Sequence, residues 1–368
     1  MRQSQDDHID GSQRGGGGAR RSYKRWVWPT VQIALTIAVV LWVFNDSGLL
    51  KQIGNIIAHA DWRWLVAGMV CKGVSIAGAV MRWHIFMQAQ GMDLSRRRTA
   101  GITLVSMFFG LLIPASIGSG TVRLIYVFRE APTQRTAGAT ALIADHLSGL
   151  VALILLALTF TFSRLSWFAG SAITDGVLYF VAGFFVITLS GLAALFLAVE
   201  TGLIDRMPRL LPWREKLIGL AKAMNLLMRQ WRAALWALVW SMICFGSFFL
   251  SFYCAGRAVG AGVSLLDMMT LMPIVDVIAG LPLTISGLGV REKLFEHMLR
   301  TQLGVANSVA LSLSLTGFAF TAAWSLAGGV VFLLYRTKGS AERPHVLQEM
   351  QDVESLAAAA DETTTQPR

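Results

Sequence analysis

Charge is what this sequence lacks. Only 15% of its 368 residues are Asp, Glu, Lys or Arg, whereas a soluble domain carries nearer a quarter. Cysteine is scarce too. Cys71, Cys244 and Cys254 all fall in apolar segments, which excludes a disulfide framework and leaves no metal-ligand spacing. The six histidines are scattered with no pair at i,i+4, so a helical zinc motif is excluded. There is no Ser/His/Asp order with an elbow glycine and no dinucleotide fingerprint. Gly15 to Gly18 do not make a phosphate loop, because no strand precedes them and no Gly-Lys-Ser/Thr closes them. Alternating segments of about ten residues are missing, which excludes a transmembrane barrel.

What the sequence has is apolar length. Hydrophobic residues make up 54% of it, in runs near the roughly twenty residues that cross a bilayer as a helix. The chain therefore reads as an all-α polytopic membrane protein. The net charge is +10, and its basic residues flank the apolar runs. They read as topology signals and contacts to anionic headgroups of membrane lipids, not as a nucleic-acid surface. Residues 1–25 form a polar, Gly-rich basic tail, 26–335 the transmembrane domain, and 336–368 a second disordered tail. The run over 26–44 is too long for a signal-peptide core and is read as a retained span.

Full spans are expected over 26–44, 62–88, 137–162, 177–199, 233–254 and 305–334. Two shorter apolar stretches cover 99–113 and 265–281, the latter broken by Pro273 and Asp276. A basic loop over 200–232 holds seven Lys/Arg against three acids. Within it Leu217, Leu220, Ala221, Met224, Leu227 and Met228 recur at helical spacing. This stripe fits an interfacial amphipathic helix or a helix packed on the protein's own spans.

Each short stretch runs into a Pro/Gly segment ending in arginine: PASIGSGTVR from Pro114 to Arg123, and PLTISGLGVR from Pro282 to Arg291. Pro, Ile, Val and Arg coincide without a gap, and farther on Gly149 falls opposite Gly317. Corresponding interrupted segments in two halves point to a transporter site. Loop charge then sets the topology. The basic N-terminal tail and the 200–232 loop both belong in the cytoplasm, so an even number of crossings separates them. Four spans satisfy that only if 99–123 returns to the side it entered from. The expected architecture is about six full transmembrane helices plus two re-entrant hairpins, with Pro114, Gly118 and Gly120 in one and Pro282, Gly287 and Gly289 in the other. The hairpins enter from opposite faces, which makes an inverted repeat with both termini cytoplasmic.

Ionisable groups inside such a chain are costly and tend to be functional. Lys72 and Arg82 are long enough to reach the headgroup region from within a span, a structural role. Asp145 cannot reach that far and needs a cation, for which Arg82 and Arg123 are the candidates. Asp276 lies within the second hairpin. Arg123 and Arg291 follow flexible Gly-containing turns and suit a phosphate or carboxylate, which guanidinium binds bidentately. The candidate substrate-binding residues are thus Arg82, Arg123, Asp145, Asp276, Arg291 and Glu292. No catalytic residue, metal or cofactor is expected.

Arg82-Trp83, the Pro114 to Arg123 segment, Asp145-His146 with Gly149-Leu150, and Pro282 to Glu292 resemble the lysylphosphatidylglycerol synthase transmembrane-region family. This is also described as a flippase-like domain family, and the resemblance covers roughly residues 30 to 335. Gly287 to Glu292 (GLGVRE) is its most specific piece. Two positions differ from the family pattern: His146 stands where the family has arginine, and Gly118 to Thr121 where many members carry Gly-Gly-Asp. The resemblance implies movement or binding of a lipid with a polar or charged headgroup, a phospholipid or a polyprenyl-phosphate-linked lipid, in a bacterial-type inner (plasma) membrane. It implies a stand-alone member, since the tail after Arg336 leaves no room for a soluble lysyltransferase domain. Two other readings stay open: a membrane-embedded glycosyltransferase acting on polyprenyl phosphate, and a non-transporting scaffold of envelope-lipid synthesis. Self-association is also left open.

Overall fold

A computed structural model describes residues 47–112, 118–164, 172–201, 214–279 and 290–334. The described residues form α1 (Ser47–Ala58), α2 (Trp62–Ala89), α3 (Arg96–Leu112), α4 (Gly118–Glu130), α5 (Arg135–Ser163), α6 (Ala172–Glu200), α7 (Arg214–Arg229), α8 (Trp231–Ala258), α9 (Leu265–Ala279), α10 (Val290–Leu303) and α11 (Asn307–Leu334). No strand occurs among them. Asp61 caps α2 by accepting the Arg63 amide at 2.9 Å. A 3₁₀ turn at Pro132–Gln134 leads into α5, as suits a residue whose φ is preset and whose missing N–H has no partner there.

Among the described residues, four helices are long and apolar enough to cross a membrane: Trp62–Ala89, Pro132–Ser163 (the 3₁₀ turn with α5), Trp231–Ala258 and Asn307–Leu334. Within α6 a shorter apolar stretch covers Ala182–Ala198. The expected span over 26–44 and both terminal tails lie outside the described residues.

The helices repeat. α1 to α5 recur in order as α7 to α11 at a nearly constant spacing along the chain, the spacing that sets Arg123 against Arg291. The packing repeats with them. α2 lies on α3 and α5, and α8 on α9 and α11; α3 packs on α4, and α9 on α10; α4 packs on α5, and α10 on α11. The contacts between the halves recur as well. α5 rests on α7, α8 and α9, while α11 rests on α1, α2 and α3. The last helix of each half is thus seated on the first three helices of the other.

The central contact joins the equivalent helices α2 and α8. The Asp61 amide donates to the Ala258 carbonyl at 3.0 Å. Lys72 Nζ sits 4.0 Å from the centre of the Phe248 ring, Ser75 Oγ is 3.7 Å from Cys244 Sγ, and Arg82 Nη1 donates to Ser241 Oγ at 3.5 Å. Numbers rise along one helix as they fall along the other, so the pair is antiparallel. Ser75 and Cys244 occupy the same position in their helices, and so do Lys72 and Ser241. The two equivalent helices therefore meet at equivalent positions at the Ser75–Cys244 contact. Small residues bring the backbones close there: a Cβ on Gly78 would stand 3.1 Å from Cys244 Cα. In a bilayer such packing holds helices together in place of the hydrophobic effect.

One expectation is corrected, and two details are added. Pro273 does not break its segment; α9 runs through it to Ala279. Proline removes one backbone donor, and a helix packed on α5, α8 and α10 tolerates that loss. Within the amphipathic segment over 200–232, Arg214–Arg229 forms a helix that packs on α5, the second of the two placements its stripe allowed. Its innermost residues are Ala223 and Leu226, one position round from the expected stripe. Helix α1, whose twelve residues include Lys51 and Asn55, was not expected at all.

Candidate functional site

Among the described residues, two clusters of ionisable side chains lie inside this bundle. In the first, Asp145 on α5 is buried and takes both arginines that the sequence offers it. Arg82 of α2 donates from Nε to Oδ1 at 2.6 Å and from Nη2 to Oδ2 at 3.2 Å. Arg123 of α4 donates from Nη1 to Oδ2 at 3.4 Å. Gly149, one turn on from Asp145, leaves the volume that Arg82 fills; a Cβ there would stand 2.6 Å from Arg82 Nη1. Arg123 lies over the Trp83 ring at 5.2 Å and donates from Nε to Ser106 Oγ of α3 at 3.2 Å. Ser241 of α8 reaches across from the other half to Arg82 and lies 3.3 Å from Ser148 Oγ.

Two guanidinium groups thus share one carboxylate. A buried cation left unpaired would cost several kcal/mol, so the shared Asp145 holds the arginines in place. It neutralises only one of the two charges. The surplus is a single positive charge on planar donors suited to phosphate or carboxylate.

In the second cluster Arg291 and Glu292 open α10. Both are buried, and each has further interactions within the chain. Glu292 accepts from Ser314 Oγ of α11 at 3.3 Å, and Arg291 lies over the Phe318 ring at 5.3 Å. Asp276 on α9 is half-buried, and the charges that act on it are those of Arg291 and Lys72. Lys72 comes from α2 in the other half and is itself buried. Its ten-residue separation from Arg82 along α2 spans roughly 15 Å. The residue at the position of Lys72 in α8 is Ser241, which serves the first cluster. Each cluster therefore draws one member from the opposite half.

On another flank of α5 lies an apolar cleft of about 320 Å³, lined by Leu142, Ile143, His146, Leu147, Leu150 and Leu220. His146 donates from Nδ1 to the Leu142 carbonyl at 2.8 Å when that nitrogen carries the proton. Its ring edge lies near Gly120, whose added Cβ would stand 3.8 Å from Cε1. Among the described residues no three His, Cys, Asp or Glu side chains converge to hold a metal ion.

The structure brings Arg82, Arg123 and Asp145 together as one group and places Asp276, Arg291 and Glu292 in the other. Gly118 opens α4. Pro114, Pro282, Gly287 and Gly289 lie outside the described residues, as do the turns that would close the two hairpins. Sequence reasoning missed four contributors: Lys72, set aside as a snorkelling cation, and Ser106, Ser241 and Ser314. The signal for Lys72 was its depth, ten residues into a 28-residue helix.

A family model described as lysylphosphatidylglycerol synthase TM region matches residues 30–329, which includes both clusters and all but the end of the last helix. No curated protein matches the chain.

Proposed function

Because the chain belongs to the lysylphosphatidylglycerol synthase transmembrane-region family, a family of membrane proteins tied to lipid synthesis or transport, we propose that it moves a phosphate-bearing lipid from one leaflet to the other. Arg123 and Arg82 receive the phosphate on one side, and Arg291 receives it on the other. Asp145 and Glu292 hold those arginines between substrates. The observation that carries this reading is the pair of guanidiniums sharing the single carboxylate of Asp145. That arrangement keeps a cationic surplus at a depth where charge is expensive. The apolar cleft on α5 offers a place for a hydrocarbon chain alongside.

The antiparallel pairing of α2 and α8 supports an inverted topology, with a pseudo-two-fold axis in the membrane plane and the α3–α4 and α9–α10 pairs as re-entrant hairpins from opposite faces. Charge supports an orientation in a bacterial-type inner membrane. Of the equivalent helices α1 and α7, α1 carries Lys51 as its one basic residue, whereas α7 carries Arg214, Lys216, Lys222 and Arg229. By the positive-inside rule α7 is cytoplasmic, and with it both termini.

The test is to purify the wild type and Arg123→Ala in mild detergent and identify the lipids each retains by mass spectrometry. The expected result is one phosphate-bearing lipid class enriched on the wild type and lost from the variant. Equal carriage of bulk membrane lipid by both would overturn the assignment.

A further inference from the structure

His146 is the one polar side chain lining the apolar cleft on α5, and it is exposed there. It sits near the middle of the Pro132–Ser163 span, a depth at which an ionisable side chain is costly and tends to be functional. Its Nδ1 lies 2.8 Å from the Leu142 carbonyl oxygen. A carbonyl can only accept, so Nδ1 carries the proton of that bond. In the neutral ring Nε2 is then left with a lone pair, and among the described residues nothing donates to it.

The polar contact missing at His146 is present in the other half. With Gly149 opposite Gly317, His146 falls opposite Ser314, and Ser314 donates to Glu292. The residue opposite Glu292 is Leu124, whose side chain has no polar atom. The first half thus keeps a polar group on its last helix without the polar group it would meet on α4. The ring also has open space on the side of its free nitrogen. A Cβ on Gly120 of α4 would stand 3.8 Å from Cε1 and 3.9 Å from Nε2, so glycine leaves that edge uncovered. Arg123 follows Gly120 by one turn of α4, about 5 Å along its axis. A headgroup whose phosphate rests on Arg123 is therefore within reach of Nε2. The rest of the cleft is hydrocarbon, from Leu142 to Leu150 on α5 and Leu220 on α7.

We infer that His146 is a specificity-determining residue whose Nε2 accepts a hydrogen bond from a hydroxyl of the lipid headgroup, while Arg123 holds the phosphate and one hydrocarbon chain lies in the cleft. The inference rests on the lipid-moving reading above and names the headgroup chemistry that site selects. An ammonium group could also donate to Nε2, but it would bring a second positive charge to the surplus that Arg82 and Arg123 already hold over Asp145. A hydroxyl brings none. A choline headgroup has no N–H or O–H to offer at all. The selected headgroup is thus anionic at its phosphate and hydroxylated beyond it, as a glycerol or a sugar-like ring is.

The test titrates the full-length protein in mild detergent with four lipids of matched chains, with binding read by native mass spectrometry. Phosphatidylglycerol and phosphatidylinositol supply hydroxyls on an open chain and on a ring. Phosphatidylethanol carries the same phosphodiester charge with no hydroxyl, and phosphatidylethanolamine carries an ammonium. The wild type should bind one or both hydroxylated lipids about two- to tenfold more tightly than phosphatidylethanol, the range of one net hydrogen bond. The tighter of the two tells a glycerol site from a ring site. His146→Phe should bind them no more tightly than phosphatidylethanol, and His146→Gln, which keeps an acceptor, should restore part of the difference. Leu150→Trp, which fills the cleft, should weaken all four alike. Size-exclusion profiles confirm that the variants are folded. A wild type indifferent to the hydroxyl overturns the inference, as does a preference that survives in His146→Phe or a wild type that binds phosphatidylethanolamine most tightly. Undiminished binding by Leu150→Trp overturns the placement of the chain. In each of these cases the phosphate site stands if Arg123→Ala weakens phosphatidylethanol. If Arg123→Ala binds it as the wild type does, the lipid-moving reading and this inference fall together.

Discussion

The Arg82 guanidinium occupies the space that a side chain at position 149 would fill. A Cβ on Gly149 would come within 2.6 Å of Nη1, while Nε and Nη2 of the same group grip Asp145. Gly149→Ala is therefore a substitution aimed at one ion pair. The long arginine side chain can swing away, so the fold should survive with a melting temperature only a few degrees lower, a loss of about 1 kcal/mol. Retention of the phosphate-bearing lipid should fall sharply. Lipid mass spectrometry beside a thermal melt separates the two effects.

Gly328→Ala is the contrasting case. The atom its Cβ would meet is the Leu104 carbonyl oxygen, at 2.1 Å, and backbone cannot swing aside. Helices α3 and α11 must move apart, at a cost of about 1–3 kcal/mol or more. A clear drop in melting temperature, with no change in which lipid is retained by the folded fraction, is the expected outcome.

Removing the shared carboxylate should be worse than removing one of its partners. Asp145→Asn leaves two buried guanidiniums facing each other and should cost about 3–5 kcal/mol. Adding Arg82→Gln to that variant should recover part of the loss, whereas independent sites would add their penalties. Denaturation midpoints of the two single variants and the double variant measure the coupling.

The crossing of α2 and α8 can be tested by crosslinking. With Cys71 and Cys254 changed to Ser, Ser75→Cys should form a disulfide with the native Cys244 under a mild copper oxidant, since Ser75 Oγ and Cys244 Sγ are 3.7 Å apart. A cysteine at Val70 or Val74, which point outward, should not. Electrophoretic mobility without reductant reports the bond.

On α7, Leu226→Ala should destabilise the protein by about 2–4 kcal/mol, as loss of a buried leucine does, because Leu226 packs into the core shared with α5. Lys222→Ala, on the exposed side, should be neutral. Equal, negligible effects in a thermal melt would instead mean that α7 lies free on the membrane surface.

Much of this arrangement was legible in the sequence because membrane burial is unforgiving. A carboxylate at Asp145 had to find a cation, and the two within reach, Arg82 and Arg123, are the two it has. The repeat was legible at Arg123 and Arg291 because Pro and Gly leave a recognisable mark on the chain. The equivalence of α2 with α8 left no such mark: Lys72 answers to Ser241 and Ser75 to Cys244, pairs unlike in chemistry that only helix positions and contacts reveal. Pro273 misled because the cost of a proline is set by tertiary packing, which a local pattern does not contain. The same holds for Lys72, whose length permits snorkelling and whose surroundings, Phe248 and Asp276, come from distant parts of the chain.

Because α11 is seated on α1, α2 and α3, and α5 on α7, α8 and α9, the order of synthesis matters. The ribosome delivers α1 to α5 while the surface that α5 needs is still unmade, and the groove that receives α11 stays open until α11 emerges. The early half must therefore wait in the bilayer, inserted but unpacked. A stop codon just before Asn307 would leave not a smaller working protein but a bundle whose α1–α3 groove is unfilled, open to membrane quality control.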